Sequence, residues 1–294
     1  MRLHLLGTGS CAPSPTRAPA GYFLEAGGGT FLVDPGPGAV HRATVAGCAP
    51  LSVDAVVVTH HHLDHVSDLL PWLFSARHCA GEREARSIPI IAPVGFAAVF
   101  AAMRAPFEQW IGAGEGFDAV VTEMAPGDMI AVAGVTITTA KMNHGANALA
   151  YRFDDGGGAF VYSGDTGFCD ELASLAKGAD LLLAECSHPD GWEGEGHLTP
   201  ATLARIAIDA DVPRLVVTHM TPAMERRLVL PTENRGGEDA GGRAREGGEK
   251  AGASLTPAME RLDVAALLRS HGYKGELTVG EDGMTVMIAS ATVR

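Results

Sequence analysis

Positive charge is scarce in this chain. Its 22 lysines and arginines stand against 35 aspartates and glutamates, a formal net charge of −13 over 294 residues. That balance lacks the broad positive field of a nonspecific nucleic-acid binder. Cysteine is sparse too: Cys11, Cys48, Cys79, Cys169 and Cys186 are an odd number without a C-x-x-C pair. A disulfide framework and a cysteine-rich zinc site are therefore not expected, and Cys11 and Cys186 read as buried small residues. No run of 18 apolar residues occurs, so no membrane-spanning helix is expected. The amino terminus, MRLHLLGTGSCAP, has too short an apolar stretch for a signal peptide, which points to the cytoplasm. There is no G-x-S-x-G elbow, and Gly7-Thr8-Gly9 lacks the lysine of a phosphate loop. That triplet reads as a tight turn near a site.

What the chain does have is short apolar runs punctuated by glycine and proline. Residues 3–6, 22–25 and 30–34 read as strands, and 54–59 (DAVVVT) as a buried one. Residues 64–76 carry apolar side chains at three- and four-residue spacing, which predicts one helix. A strand at 88–91 and a helix at 95–104 follow. Strands at 119–122, 129–132, 135–140, 148–153 and 159–162 read as a second β-rich stretch. A short helix at 172–176, a strand at 180–184, a helix at 200–211 and a strand at 215–218 come next, and 276–279 with 284–288 read as a terminal hairpin. Two strand-rich halves, each with helices and a strand ending in Thr-His, predict an α+β fold of two facing sheets under outer helices.

Residues 231–254 break the pattern, with seven glycines, nine charges and almost nothing to bury. They read as a disordered insertion within a single domain spanning 1–294. Thr-Pro-Ala-Met-Glu-Arg occurs on both sides, from Thr221 and again from Thr256. The second copy runs on into LDVAALLRSHGY and is expected to pack as the native helix.

The sharpest signal is Thr59-His60-His61-His62-Leu63-Asp64-His65, between a buried strand and a helix. Imidazole and carboxylate are the donors that Zn²⁺ and similar ions accept. His60, His62, Asp64 and His65 are too concentrated for ordinary core histidines. His144, Asp165 and His219 stand just past other strands, and with the histidine-rich turn they become candidate ligands.

These motifs resemble the metallo-β-lactamase superfamily of metal-dependent hydrolases. His60, His62, Asp64 and His65 match its H-x-H-x-D-H motif, and His144, Asp165 and His219 match its later ligand positions. The resemblance implies a four-layer αββα sandwich with two divalent metal ions, Zn²⁺ first and Mn²⁺ or Fe²⁺ as alternatives. It implies His60, His62 and His144 on one ion, Asp64, His65 and His219 on the other, and Asp165 between them. Such a pair can activate a water for attack on a phosphorus or carbonyl centre.

Glu185 ends another strand and His197 precedes a helix. This pair resembles the ribonuclease Z-like phosphodiesterase branch, which implies that Glu185 orients His197 at the scissile phosphate; with Asp64 they form the expected catalytic set. His188 is a weaker candidate. Two departures stand against transfer-RNA processing. Only 20 residues separate His144 from Asp165, where ribonuclease Z inserts its RNA-gripping arm, and Ala184-Glu185-Cys186-Ser187 keeps only the glutamate of the family's His-Glu-Ala-Thr pattern. The expected substrate is a small phosphodiester, not extended nucleic acid. Arylsulfatase-like or lactonase-like ester hydrolysis, true transfer-RNA 3′ processing and a non-enzymatic metal-binding protein are the alternatives. Many relatives are dimers, so a homodimer stays open, although no apolar stripe specifies an interface.

Overall fold

Alternate residues along the first strand face opposite ways. Leu3 and Leu5 join one apolar core while Leu6 joins another, and that two-sided burial recurs through the molecule. The computed structural model describes residues 1–79, 86–112, 117–192, 196–229 and 258–289. The predicted disordered insertion at 231–254 lies outside them.

The first half contains β1 (Arg2–Gly7), β2 (Gly21–Ala26), β3 (Gly29–Val33), α1 (Ala39–Val45), β4 (Ala55–Val57), α2 (Leu63–Val66), α3 (Leu69–His78), β5 (Arg86–Pro93), α4 (Phe96–Arg104), α5 (Glu108–Ile111) and β6 (Phe117–Met124). Then come β7 (Met129–Val132), β8 (Val135–Lys141), β9 (Leu149–Asp154), β10 (Ala159–Tyr162), α6 (Asp170–Ala176), β11 (Leu181–Glu185), α7 (Pro200–Asp209) and β12 (Arg214–Thr218). The chain continues through α8 (Pro222–Glu225), β13 (Arg226–Val229), β14 (Ala258–Arg261), α9 (Val264–Ser270), β15 (Glu276–Val279) and β16 (Thr285–Met287). No helix among the described residues is long and apolar enough to cross a membrane.

Two seven-stranded sheets form, ordered β16-β1-β2-β3-β4-β5-β6 and β15-β12-β11-β10-β9-β8-β7. One core lies between them, built from residues such as Tyr22, Phe31, Tyr151 and Phe160. A second fills the space under the helices on the first sheet, around Trp72 and Phe96, and a third lies under those on the second, around Leu203 and Leu268. This is the expected αββα sandwich. Each sheet is parallel over its site-bearing half, β3 through β6 in one and β10, β11, β12 and β15 in the other. Parallel strands deliver their carboxyl ends to one edge, where ligand-binding loops gather.

Four sequence expectations need correction. The 64–76 helix is two helices, because Pro71 has no N–H for a continuous ladder and Asp68 turns its carboxylate to the backbone N–H groups of Gly38 and Val40 at 3.0 Å. The strand at 119–122 belongs to the first sheet, paired in parallel with β5. The terminal hairpin does not form: β15 pairs with β12 and β16 with β1, in different sheets. Asp282 fixes that crossover by accepting from the backbone N–H groups of Thr8 and Ala18 at 2.9 and 2.7 Å. In the repeat, the first copy supplies α8, with Met224 fully buried, while the second forms β14 against β13. The following helix starts only at Asp263, whose side chain caps it by accepting from Ala266 N–H at 2.9 Å.

Candidate metal centre

Five strand ends meet at that edge. Asp34 follows β3, Thr59 to His62 follow β4, Asp165 follows β10, Glu185 ends β11 and His219 follows β12. Asp34 and His219 adopt left-handed backbone angles (φ 43° and 52°), an uncommon region for residues with a Cβ. Gly36 lets α2 settle onto the turn after β3, since a Cβ there would lie 1.9 Å from the Asp64 carbonyl oxygen.

The seven candidate ligands converge in two sets. Donor atoms of His60, His62, His144 and Asp165 lie within 4.8 Å of one another, as do those of Asp64, His65 and His219. His60 Nε2 and His62 Nδ1 are 3.0 Å apart, His144 Nε2 and His62 Nδ1 3.2 Å, and His65 Nε2 and His219 Nε2 3.2 Å. Tetrahedral bonds of about 2.0–2.1 Å place neighbouring donors about 3.3 Å apart, so the spacing suits a cation in each set. Asp165 stands between the sets. Its Oδ2 is 3.7 Å from His60 Nε2 and 3.4 Å from His65 Nε2, and its Oδ1 is 3.4 Å from His219 Nε2. That Oδ1 is buried and accepts no hydrogen bond, a costly state for a carboxylate oxygen unless a cation meets it.

The outward nitrogens of four imidazoles are already spoken for. His65 Nδ1 meets Asp34 Oδ2 at 2.8 Å, and His144 Nδ1 meets the Gly196 carbonyl at 2.8 Å. His60 Nδ1 meets Thr59 Oγ1 at 3.0 Å, and that hydroxyl donates to Asp34 at 2.7 Å. His219 Nδ1 meets Ser187 Oγ at 3.0 Å, and that hydroxyl donates to Glu185 at 2.5 Å. These bonds turn Nδ1 outward and Nε2 toward the centre, the usual arrangement around a cation. Burial, reinforced by His65, holds His60 well below the usual imidazole range. His65 goes the other way. Burial opposes its charge, but Asp165 and Asp34 outweigh burial and raise it well above that range; an incoming cation must displace that proton.

Asp34, Thr59 and Ser187 escaped the sequence reading as site residues. Asp34 is fully buried and also accepts from Tyr162 O–H at 2.9 Å. The signal for Asp34 was its place at a strand end before Pro35-Gly36-Pro37-Gly38. Thr59 and Ser187 had no signal beyond adjacency to His60 and Glu185.

Glu185 and His197 do meet. Glu185 is fully buried and His197 Nδ1 lies 2.9 Å from its Oε1. Burial alone would lower the His197 pKa, but the hydrogen bond and charge of Glu185 prevail and raise it to about 9. Its ring lies over His219 at 6.0 Å and 13°, and against His144 at 4.7 Å. His188 sits edge-on to His197 at 5.2 Å. Gly7-Thr8-Gly9 does run beside the site, with Met220 N–H donating to Thr8 O at 2.9 Å. The Thr8 and Gly9 N–H groups are committed to Asp282 and Ala18 O, so they are not an anion cradle. Cys186 is buried as expected, but Cys11 is exposed, because it lies on the loop after β1 and not on the strand.

Residues 30–220 match a family model described as the beta-lactamase superfamily domain. The chain is 32% identical over 244 residues to ribonuclease Z of Mycobacterium bovis (strain BCG / Pasteur 1173P2), covering 76% of this chain and 87% of that protein. Its fold is similar to that of the metallo-beta-lactamase fold protein YhfI from Bacillus subtilis, with a TM-score of 0.71, 21% identity and coverage of 97% and 98% of the two chains. It is also similar to human tRNase Z, short form, with a TM-score of 0.70, 20% identity and coverage of 98% and 99%.

Proposed function

The chain belongs to the β-lactamase superfamily as a metal-dependent hydrolase related to the ribonuclease Z branch, and on that premise we propose that it hydrolyses a small phosphodiester. We assign one divalent cation to His60, His62 and His144, another to Asp64, His65 and His219, and the bridging place to Asp165, with Zn²⁺ the ion proposed first. Such cations lower the pKa of a water and offset charge on a phosphoryl oxygen.

The observation that carries the reading is the Glu185–His197 pair beside both donor sets. Glu185 takes the proton-bearing Nδ1, so Nε2–H of His197 is left to face substrate. Held cationic, His197 donates a hydrogen bond to the phosphoryl oxygen or gives its proton to the leaving oxygen as the P–O bond breaks. Ester, lactone or sulfate hydrolysis at the same centre does not account as directly for a buried carboxylate spent on keeping one imidazole charged. The test is metal-reconstituted protein assayed on bis-p-nitrophenyl phosphate, p-nitrophenyl sulfate and a lactone panel. Metal-dependent preference for the diester is expected; preference for the sulfate or a lactone overturns the phosphodiester assignment.

A second reading, transfer-RNA 3′ processing, is favoured by the identity to ribonuclease Z. Against it, residues 145–164 are taken up by β9, β10 and their connections, and the chain is acidic overall. Cleavage of precursor transfer RNA at a rate exceeding that on small diesters decides for this second reading.

A further inference from the structure

A second kind of donor cluster lies on the outer face of the first sheet. Along β1, Leu3 and Leu5 point into the core between the sheets, so His4 points the other way, toward α1. Strand register places His4 opposite Phe23 on β2 and opposite Thr285 on β16, with Glu25 two residues along from Phe23 on the same face. Where α1 ends, the chain turns back through Gly47, and Cys48 N–H bonds Ala43 O at 2.9 Å. The turn leaves the Cys48 thiol beside the other two. Ligand atoms of His4, Glu25 and Cys48 lie within 4.8 Å of one another. Among the described residues this is the one donor cluster that contains a cysteine.

We propose that His4, Glu25 and Cys48 bind a third divalent cation, of the thiolate-accepting class represented by Zn²⁺. Imidazole, carboxylate and thiolate together suit Zn²⁺ and disfavour Mg²⁺ or Ca²⁺, which take oxygen ligands. His4 Nε2 already lies 3.1 Å from Glu25 Oε1, close to the separation of two donors sharing one ion. The other ring nitrogen, Nδ1, meets Thr285 Oγ1 at 3.1 Å, which fixes the ring and leaves Nε2 for the ion. Arg2 contacts the second Glu25 oxygen at 3.3 Å and holds that carboxylate in place. On binding, the Cys48 S–H bond breaks, sulfur keeps the electron pair for the ion and the proton passes to water. One thiolate and one carboxylate then balance the dication, so the half-buried ligand set is neutral with the ion bound. The site ties α1 to β1 and β2. His4 lies four residues before Thr8, about 13 Å along the strand from the segment that borders the hydrolytic centre, so the proposal is independent of the reaction assigned there.

The test uses the full chain with its hydrolytic centre loaded and Co²⁺ as the added probe. None of the seven residues assigned to that centre supplies sulfur, so a near-ultraviolet sulfur-to-cobalt charge-transfer band reports a cysteine-ligated ion. The band is expected in the unaltered chain, is lost in Cys48→Ser and is retained in Cys11→Ser, the control for the exposed thiol near Asp64. Zn²⁺ protection of Cys48 from iodoacetamide in the unaltered chain, read by peptide mass, provides a measurement that needs no variant. Absence of the band, its survival in folded Cys48→Ser, or full alkylation of Cys48 at saturating Zn²⁺ overturns the proposal.

Discussion

Replacing Glu185 by glutamine changes almost no volume and removes one buried charge. In the metal-free protein, where no cation competes for the imidazole, His197 titrates at about 9 against an ordinary value of about 6.5. The difference corresponds to about 3 kcal/mol between the protonated and neutral forms. Burial works against protonation, and the Glu185 hydrogen bond and charge overcome it. With that charge gone, Asp165 remains to favour protonation against burial, and the His197 pKa is expected to fall well below 9. A raised folded-state pKa stabilises the fold below the unfolded value and loses that contribution as pH rises through about 9. The difference in unfolding free energy between parent and Glu185→Gln should therefore be largest at pH 6, shrink as pH rises from about 6.5 to about 9, and level off above that.

A pH-independent part remains. Glu185 accepts from Thr166 N–H at 2.6 Å, Ser187 O–H at 2.5 Å and Leu198 N–H at 3.3 Å. A glutamine amide must turn an N–H toward at least one of these donors, at a cost of about 1–3 kcal/mol. The assay is NMR titration of the His197 ring with denaturant unfolding at several pH values. A His197 pKa that stays near 9 in Glu185→Gln refutes the claim that this carboxylate sets it.

Other outcomes follow from the same geometry. His197→Ala should keep its bound metal and lose about 10²–10⁴-fold in kcat on a diester with a poor alkoxide leaving group. The loss should be smaller with p-nitrophenolate, which scarcely needs a proton; equal losses assign His197 to charge stabilisation and not to proton donation. Ser187→Ala leaves His219 Nδ1 without its hydroxyl partner and is expected to weaken one of the two cations about 10–100-fold, read by competition with a chelator. Removing 231–254 while keeping Glu225, which pairs with the buried Arg17 at 2.7 Å, should leave metal content and melting temperature unchanged. Cooperative loss of either shows that the segment contributes to the fold.

The H-x-H-x-D-H spacing and the strand-end positions of His144, Asp165 and His219 marked seven candidate ligands in the chain itself, because ligand chemistry is carried by residue type and strand ends are marked by apolar runs; their division into two sets was legible only through resemblance. Glu185 and His197 were legible only through resemblance, since nothing in their spacing says that a strand end and a helix start lie 2.9 Å apart. Asp34 could not be ranked from the chain. A buried carboxylate gains meaning only when His65, Thr59 and Tyr162 reach it from three segments. The final strands show the same limit. Their alternation and the Glu281-Asp282-Gly283 turn satisfy a hairpin locally, but exposed edges of two sheets compete for them. β12 and β1 offer full backbone ladders and an apolar core beneath, so the strands part company. Residue type and period decide which segments form strands and which side chains offer donors to a metal. Long-range edge pairing and shared hydrogen bonds decide which strands are neighbours and which polar residues tune the site, because those energies exist only once distant segments have met.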